Sequence, residues 1–265
     1  MLTFFKSVWA YRGFILGSVK REFQMKYQTS MLGAAWTVIN PLAMIIVYTV
    51  IFSQVMRAKL PGTDNSFAYS VYLCSGVLTW GLFSEIVTRS QTVFIENANL
   101  LKKLSFPRIC LPIITVLNAL LNFCIIFSLF TVFLLVSGNF PGWSYLALIP
   151  VLIILIAFSA GLGIMIGVLN VFFRDVGYLF SVILQFWFWF TPVIYPVAIL
   201  PDFARRALLI NPMAPIIAAS QQILLSGQMP DDWQALSLVA LLAVILCFFS
   251  WRLFRKRSGE IVDEI

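Results

Sequence analysis

The sequence predicts an all-α protein that crosses a membrane several times. Of its 265 residues, 61% are hydrophobic and 11% are charged, against about 45–50% and about 25% in soluble domains. Six apolar segments approach or exceed the roughly 20 residues that a helix needs to cross a bilayer. Lys and Arg are concentrated in alternate connections between these segments, which is typical of loops that stay in the cytoplasm.

The six predicted spans follow one another without an extended linker. They cover residues 34–55, 67–87, 109–136, 145–171, 178–197 and 234–251. We therefore predict a single transmembrane domain over 34–252, preceded by a cytoplasmic segment over 1–33 and followed by a cytoplasmic tail over 253–265. Asn40 and Pro41 interrupt the first span, and Pro192 and Pro196 should kink or turn the fifth.

The distribution of basic residues orients these spans. The N-terminal segment, the connections after the second and fourth spans, and the tail together hold 14 of the 18 Lys and Arg residues. Both termini are therefore expected in the cytoplasm. The net charge of +7 is explained by this bias, because basic loops on the cytoplasmic side face anionic lipid. A nucleic-acid partner is therefore not needed to explain it.

The segment over residues 18–31 mixes apolar and charged side chains. This pattern predicts an amphipathic helix that lies on the inner membrane surface or against a cytosolic partner.

The chain lacks the side chains that intramembrane catalysis or metal binding would need. It has no His, and its four cysteines form no CxxC pair, so neither a metal site nor a disulfide is predicted. No GxxxxGK[ST] phosphate loop is present. Glu85 is the one carboxylate within a predicted span, and Arg89 lies one helical turn later, so we expect an ion pair that is either structural or part of a gate.

The fifth span carries a dense aromatic run around Trp187 and Trp189. Such a run forms either an interfacial belt or a wall along which sugar rings pack. In the fourth span, Gly163 and Gly167 allow close helix contact, either within the chain or between two copies. The outer segment over 198–233 is expected to form short helices folded back into the outer leaflet, where they line or close a cavity.

A series of short motifs in order along the chain carries a family resemblance. The motifs are KYQTSMLG at 26–33 with Trp36 and NPL at 40–42, ENANLLKKLSFPR at 96–108, FRDV at 173–176, TPVIY at 191–195, and NP at 211–212. This order resembles the ABC-2 type permeases that export polysaccharides such as O-antigen, capsule and teichoic acid. Gln221 and Gln222 depart from that pattern, since many of these permeases carry an aromatic–Arg pair after the NP motif.

The resemblance implies an all-α, type V exporter-like fold with six spans per subunit. It also implies a homodimer in the bacterial inner membrane, two copies of a separate ABC ATPase that bind ATP and Mg, and a cargo such as O-antigen on polyprenyl pyrophosphate. No cofactor is expected on this chain. The alternatives are an ABC-2 permease for a drug or small lipid, an ion-coupled secondary transporter, and a membrane enzyme acting on lipid-linked sugars.

Three sets of functional residues follow from the residues and the resemblance together. The substrate channel is assigned Trp36, Tyr48, Phe186, Trp187, Trp189, Phe190 and Tyr195. The surface that meets the ATPase is assigned Lys20, Arg21, Leu100, Leu101, Lys102, Lys103, Phe106, Pro107, Arg108, Arg174 and Asp175. The periplasmic gate, with re-entrant helices between the fifth and sixth spans, is assigned Pro192, Pro196, Asn211 and Pro212.

Overall fold

A computed structural model describes residues 9–25, 35–51, 67–103 and 106–264, and in these ranges it contains helices and no β-strand. The helices are α1 Arg12–Met25, α2 Trp36–Thr49, α3 Ala68–Glu96, α4 Ala98–Lys103, α5 Cys110–Val136, α6 Leu148–Phe172, α7 Asp175–Trp189, α8 Asp202–Leu208, α9 Met213–Ser226, α10 Trp233–Arg257 and α11 Ile261–Glu264. Short 3-10 helices cover Gly142–Ala147 and Val197–Ile199. The all-α prediction is confirmed for these residues.

Four helical segments among the described residues are long and apolar enough to cross a membrane. They are α3, α5, the continuous stretch Gly142–Phe172 that ends with α6, and α10. These segments confirm the predicted second, third, fourth and sixth spans as helices. A fifth crossing results if α8 and α9, which meet at 98°, are counted together as one broken span.

The fifth predicted span is shorter than the sequence suggested, and the first is described only in part. The helix α2 has 14 residues, and residues 34 and 52–55 of its predicted span lie outside the described residues. The helix α7 has 15 residues and ends at Trp189, not at residue 197. Pro192 has no N–H to donate and restricts the residue before it, so the helix stops ahead of it. At 1.5 Å per residue α7 is about 22 Å long, less than the roughly 30 Å hydrocarbon core.

The helix α3 is the centre of the bundle. It packs against α5, α6 and α9, while α6 packs on its other side against α10. The glycines of α6 permit this contact, because a Cβ added at Gly163 would lie 2.7 Å from the Cβ of Ser90. Contact within the chain therefore explains the small residues of the fourth span. Phe83 and Phe130 are fully buried in the resulting core.

The helix α1 is amphipathic, as predicted, but it is placed earlier in the chain. It covers residues 12–25, whereas the prediction was 18–31, of which 26–31 lie outside the described residues. Ile15 and Val19, one turn apart, are buried against Cys110 and Ile114 of α5. The described part of the predicted segment 1–33 is therefore docked on the bundle through this helix.

Candidate functional site

Asn211 links the C-terminal end of α7 to the beginning of α9. The turn over 190–196 that follows α7 is the one expected on the periplasmic side, and we call it the outer turn. Its side-chain oxygen accepts hydrogen bonds from Trp187 Nε1 at 2.8 Å and from the backbone N–H of Met213 at 3.0 Å. Its side-chain nitrogen donates to Thr191 Oγ1 at 2.9 Å and to the Phe190 carbonyl at 3.1 Å. The predicted gate residue Asn211 is thus a cross-link with its hydrogen-bonding capacity engaged.

Two tyrosines of α3 hold the turn that follows α7. The Tyr72 hydroxyl donates to the Tyr195 carbonyl at 2.9 Å, and the Tyr69 hydroxyl donates to the Ile194 carbonyl at 2.7 Å. These bonds join residues more than 120 positions apart, and the sequence analysis missed both tyrosines. They attach the outer turn to the central helix of the bundle.

Gln221 of α9 completes this polar cluster. It is 4% exposed, and its side-chain nitrogen lies 3.1 Å from the Val193 carbonyl and 3.3 Å from that of Pro192. The sequence analysis noted Gln221 only as a departure from the family pattern. Its position in the middle of a mostly apolar helix was the signal that could have identified it, because a buried amide needs hydrogen-bond partners.

Gly76 allows the turn to approach α3 this closely. A Cβ added at Gly76 would lie 2.6 Å from the Val193 carbonyl oxygen and 2.7 Å from Gln221 Nε2. No side chain larger than hydrogen fits there without a shift of the turn. The sequence analysis did not single out this glycine.

The aromatic residues of α7 face in two directions. Phe186, Trp189 and Phe190 are 60%, 59% and 70% exposed. The ring of Trp187, by contrast, lies 5.3 Å from that of Phe83 and packs inside the protein. Trp187 is half-buried and also lines the cavity beside the turn that follows α7, and the assignment of all four residues to a channel stays a prediction.

The remaining residues assigned to the channel lie at different depths. Tyr195 is half-buried and donates a hydrogen bond to the Trp189 carbonyl at 2.7 Å. Trp36 is exposed, whereas Tyr48 is half-buried against the main core.

A mostly apolar cavity of about 420 Å³ lies beside the outer turn. Its lining includes Phe190, Tyr195, Phe203, Asn211 and Pro212. Pro212 precedes α9, while Pro192 is buried and Pro196 half-buried in the turn itself. The four residues assigned to the gate thus belong to one local structure.

A second polar cluster joins α1, α3 and α5. Arg89 pairs with Glu85 at 3.5 Å, as predicted, and also with Glu22 of α1. Asn118 of α5 donates to Glu22, and Asn122 donates to Glu85 at 2.9 Å. The sequence analysis missed Glu22, which ties α1 to both α3 and α5.

The residues assigned to the ATPase surface divide into exposed and buried ones. Lys102 and Lys103 are exposed at the end of α4. Leu101 is 8% exposed and packs into an apolar cluster, so it anchors α4 within this chain, and its assignment to the contact surface stays a prediction. Leu100 is half-buried beside the same cluster. The ring of Phe106 packs against that of Phe14 of α1 in a tilted arrangement, with 4.9 Å between the ring centres.

The chain after Phe106 leads directly into α5. The Pro107 carbonyl accepts from the Cys110 N–H at 2.9 Å, and the Arg108 carbonyl accepts from the Leu111 N–H at 3.2 Å. These bonds begin the helix, and the Arg108 side chain is left half-buried. The positions between α4 and Phe106, at 104–105, lie outside the described residues.

The other cations assigned to that surface are exposed. Lys20 and Arg21 lie on α1, and Arg21 donates to Ser18 Oγ at 3.2 Å. Arg174 and Asp175 lie at the beginning of α7, where a carboxylate is favoured by the helix dipole.

The comparisons with known proteins agree with this architecture. The family model for ABC-2 type transporters matches residues 15–225. The chain is 30% identical to the O-antigen export system permease protein RfbA of Myxococcus xanthus, over the whole of both chains. It is 31% identical to a protein of the same name from Klebsiella pneumoniae, over 91% of this chain and 92% of that one. It is 24% identical to the polysialic acid transport protein KpsM of Escherichia coli, over 92% of this chain and 93% of that one. The chain therefore belongs to the ABC-2 type transporter family, which confirms the resemblance found in its motifs.

Proposed function

We propose that this chain is the membrane permease subunit of an ATP-binding-cassette exporter for a lipid-linked polysaccharide. The observation that carries the proposal is the end-to-end similarity to O-antigen export permeases of two organisms. By this analogy, the cargo is O-antigen on polyprenyl pyrophosphate, and the membrane is the bacterial inner membrane. The permease performs no catalysis, and a separate ATPase subunit, present in two copies, binds ATP and Mg and supplies the energy.

The transport path runs between two copies of the chain. The interior of one copy offers no room for a polymer, because large side chains such as Phe83, Phe130 and Leu155 are fully buried in it. The outward face of α7, with Phe186, Trp189 and Phe190, offers flat apolar surfaces instead. Pyranose rings present C–H groups that pack on such surfaces, and a neutral glycan needs few buried charges along its path.

Each subunit contributes six spans with both termini in the cytoplasm. The four long helices supply four of these spans, and α2 and α7 form short first and fifth spans. The bend of 98° between α8 and α9 suits a segment that enters the outer leaflet and returns. We assign this segment, together with the turn around Pro192 and Asn211, to the periplasmic gate.

The inner ends of the helices meet the ATPase. The exposed Lys102 and Lys103 offer charge-assisted contacts to acidic groups of a partner. α1 contributes Lys20 and Arg21, and the turn before α7 contributes Arg174 and Asp175. Motion of the ATPase then reaches the spans through α1, which Glu22 ties to Arg89.

A deletion strain of the source bacterium, complemented with the gene, tests the proposal. We expect loss of surface polysaccharide and accumulation of lipid-linked glycan on the cytoplasmic side, with both restored by the complementing gene. Restoration should fail when the complemented strain lacks its ATPase partner. Normal surface polysaccharide in the deletion strain, combined with a new sensitivity to drugs, would favour export of a drug or small lipid instead. Transport that persists without ATP but stops with the ion gradient would favour a secondary transporter.

A further inference from the structure

The chain doubles back after α10. Residues 258–260 form a turn, and α11 then packs against α4 and α6. We call residues 258–264 the return segment. Ile261, the first residue of α11, is fully buried. The return segment is therefore anchored to the helical bundle.

Ile261 shares an apolar cluster with the one buried side chain of α4. The cluster contains Leu101 of α4, Phe94 at the inner end of α3, Val171 of α6 and Phe254 of α10. Removing this shared apolar surface from water favours the docked position of both short helices. Ile261 and Leu101 thus stabilise each other's placement.

The turn itself contributes little to this docking. Arg257 pairs with Glu260, and its guanidinium lies 5.3 Å from the centre of the Phe172 ring. Arg257 and Glu260 are about half exposed, and exposed ion pairs contribute little to stability. Burial of Ile261 is therefore the main anchor of the return segment.

The position of α4 depends on its neighbours because it is only six residues long. A helix of this length is not stable by itself in water. On one side Leu101 rests on the cluster that contains Ile261, and beyond its end Phe106 rests on Phe14 of α1. Lys102 and Lys103 remain exposed on a helix that is supported from both directions.

We propose that the return segment is a positioning element for α4, and that Ile261 is the positioning residue that keeps Lys102 and Lys103 in place for the ATPase. This inference rests on the proposed function, since contact with an ATPase is what gives the placement of α4 a consequence for transport. Without Ile261, α4 shifts when the ATPase moves against it, and less glycan is exported for each ATP that is hydrolysed.

The test uses the full chain in complex with its ATPase, in vesicles that contain the lipid-linked glycan. The variant Ile261→Asp is compared with Ile261→Leu as a conservative rescue and with Glu264→Gln as an exposed control in the same helix. Two quantities are measured: glycan exported per ATP hydrolysed, and hydrogen exchange of the α4 amides. For Ile261→Asp we expect export per ATP to fall several-fold and α4 exchange to rise about tenfold, because a buried contact that resists local opening is lost. Ile261→Leu and Glu264→Gln should match the wild type.

Unchanged export per ATP in Ile261→Asp would overturn the proposal. If that variant is not produced in the membrane, Ile261→Ala replaces it, with a smaller effect of the same sign expected. Unchanged α4 exchange in Ile261→Ala would equally overturn the proposal. A wild-type chain that neither binds an ATPase nor exports glycan would overturn the proposed function and the coupling role with it, while the exchange measurement would still decide whether Ile261 holds α4.

Discussion

The indole nitrogen of Trp187 donates a hydrogen bond to the side-chain oxygen of Asn211 over 2.8 Å. This bond joins the last turn of α7 to the segment just before α9. Because the same amide also bonds Thr191 and the Phe190 carbonyl, one side chain fixes the outer end of α7 against α9.

Replacing Asn211 by Leu should destabilise the outer turn. The change leaves the Trp187 N–H and the Phe190 carbonyl without their partner, and an unsatisfied buried group costs about 1–3 kcal/mol. Since Asn211 is only half-buried, we expect the lower end of that range. Thermal unfolding of the purified chain measures the effect, with Gln228→Leu, an exposed position after α9, as the control. Equal midpoints for the two variants would contradict the role of Asn211.

Two glycines of α3 provide a matched pair for testing the close approach of the turn. Gly76→Ala places a Cβ 2.6 Å from the Val193 carbonyl oxygen, whereas Gly81→Ala meets nothing within 4 Å. Alanine favours a helix over glycine by about 1 kcal/mol. Gly81→Ala should therefore leave thermal stability unchanged or raise it, while Gly76→Ala should lower it and reduce export. Stabilisation by both changes would show that the turn is not held against α3.

The exposed aromatic face of α7 should matter for export and not for folding. The triple change of Phe186, Trp189 and Phe190 to Leu keeps the surface apolar but removes the flat rings. The matched control changes Phe248 and Phe249 of α10, which are similarly exposed, to Leu. At equal protein levels, we expect surface polysaccharide to fall only in the α7 variant. Normal export by that variant would remove the aromatic wall from the mechanism.

Arg89 should hold α1 on the bundle. Arg89→Leu leaves Glu22 and Glu85 without their shared cation, and partly exposed pairs of this kind contribute about 0.2–1 kcal/mol each. Hydrogen exchange in α1 should therefore rise in this variant, and high salt should bring the wild type toward it by screening the pairs. Lys20→Leu, an exposed change on α1, is the control. A salt-independent exchange rate in the wild type would argue against the ion pairs as the attachment.

Reversing the charges of Lys102 and Lys103 should weaken binding of the ATPase. The double change to Glu replaces two exposed cations that the proposed function places opposite acidic groups, and like charges there repel. Co-purification of the ATPase and its turnover are the measurements. Arg255→Glu with Lys256→Glu reverses the same number of exposed charges at the inner end of α10 and serves as the control. Undiminished association in the Lys102 and Lys103 variant would place the contact elsewhere.

The long spans could be predicted from the sequence because hydropathy accumulates over neighbouring residues. The apolar segments that form α3, α5, α6 and α10 are each so long that a single polar residue hardly changes their mean hydropathy. The sequence analysis expected Pro192 to kink or turn the fifth span, but it extended that span to residue 197 because apolar residues continue past the proline. The sequence analysis placed the beginning of α1 too late. The first turns of this helix are held by burial of Ile15 against α5, and a contact between distant parts of the chain is not visible in a local pattern.

The candidate site was predicted only where a short motif marked it. Asn211 and Pro192 stood in such motifs; Pro192 lies in the outer turn, and Asn211 is hydrogen-bonded to it. The hydrogen bonds of Tyr72 and Gln221 were missed because their partners are backbone carbonyls far away in the sequence. Every residue has such a carbonyl, so the sequence does not show which one accepts the bond. Trp187 and Trp189 were treated alike, although a spacing of two residues places them about 200° apart around a helix.

The outer turn is held at Pro192, Val193, Ile194 and Tyr195 through backbone oxygens that every amino acid possesses. These hydrogen bonds therefore do not depend on which side chain stands at the four positions. They do depend on Tyr69, Tyr72 and Gln221, whose side chains supply the donors. Val193 is packed in the core, whereas Tyr195 lines the cavity beside the turn. A different side chain at Tyr195 would therefore leave these backbone hydrogen bonds in place. Under the proposed function, the lining that meets the sugar and the shape of the turn can then change independently of each other.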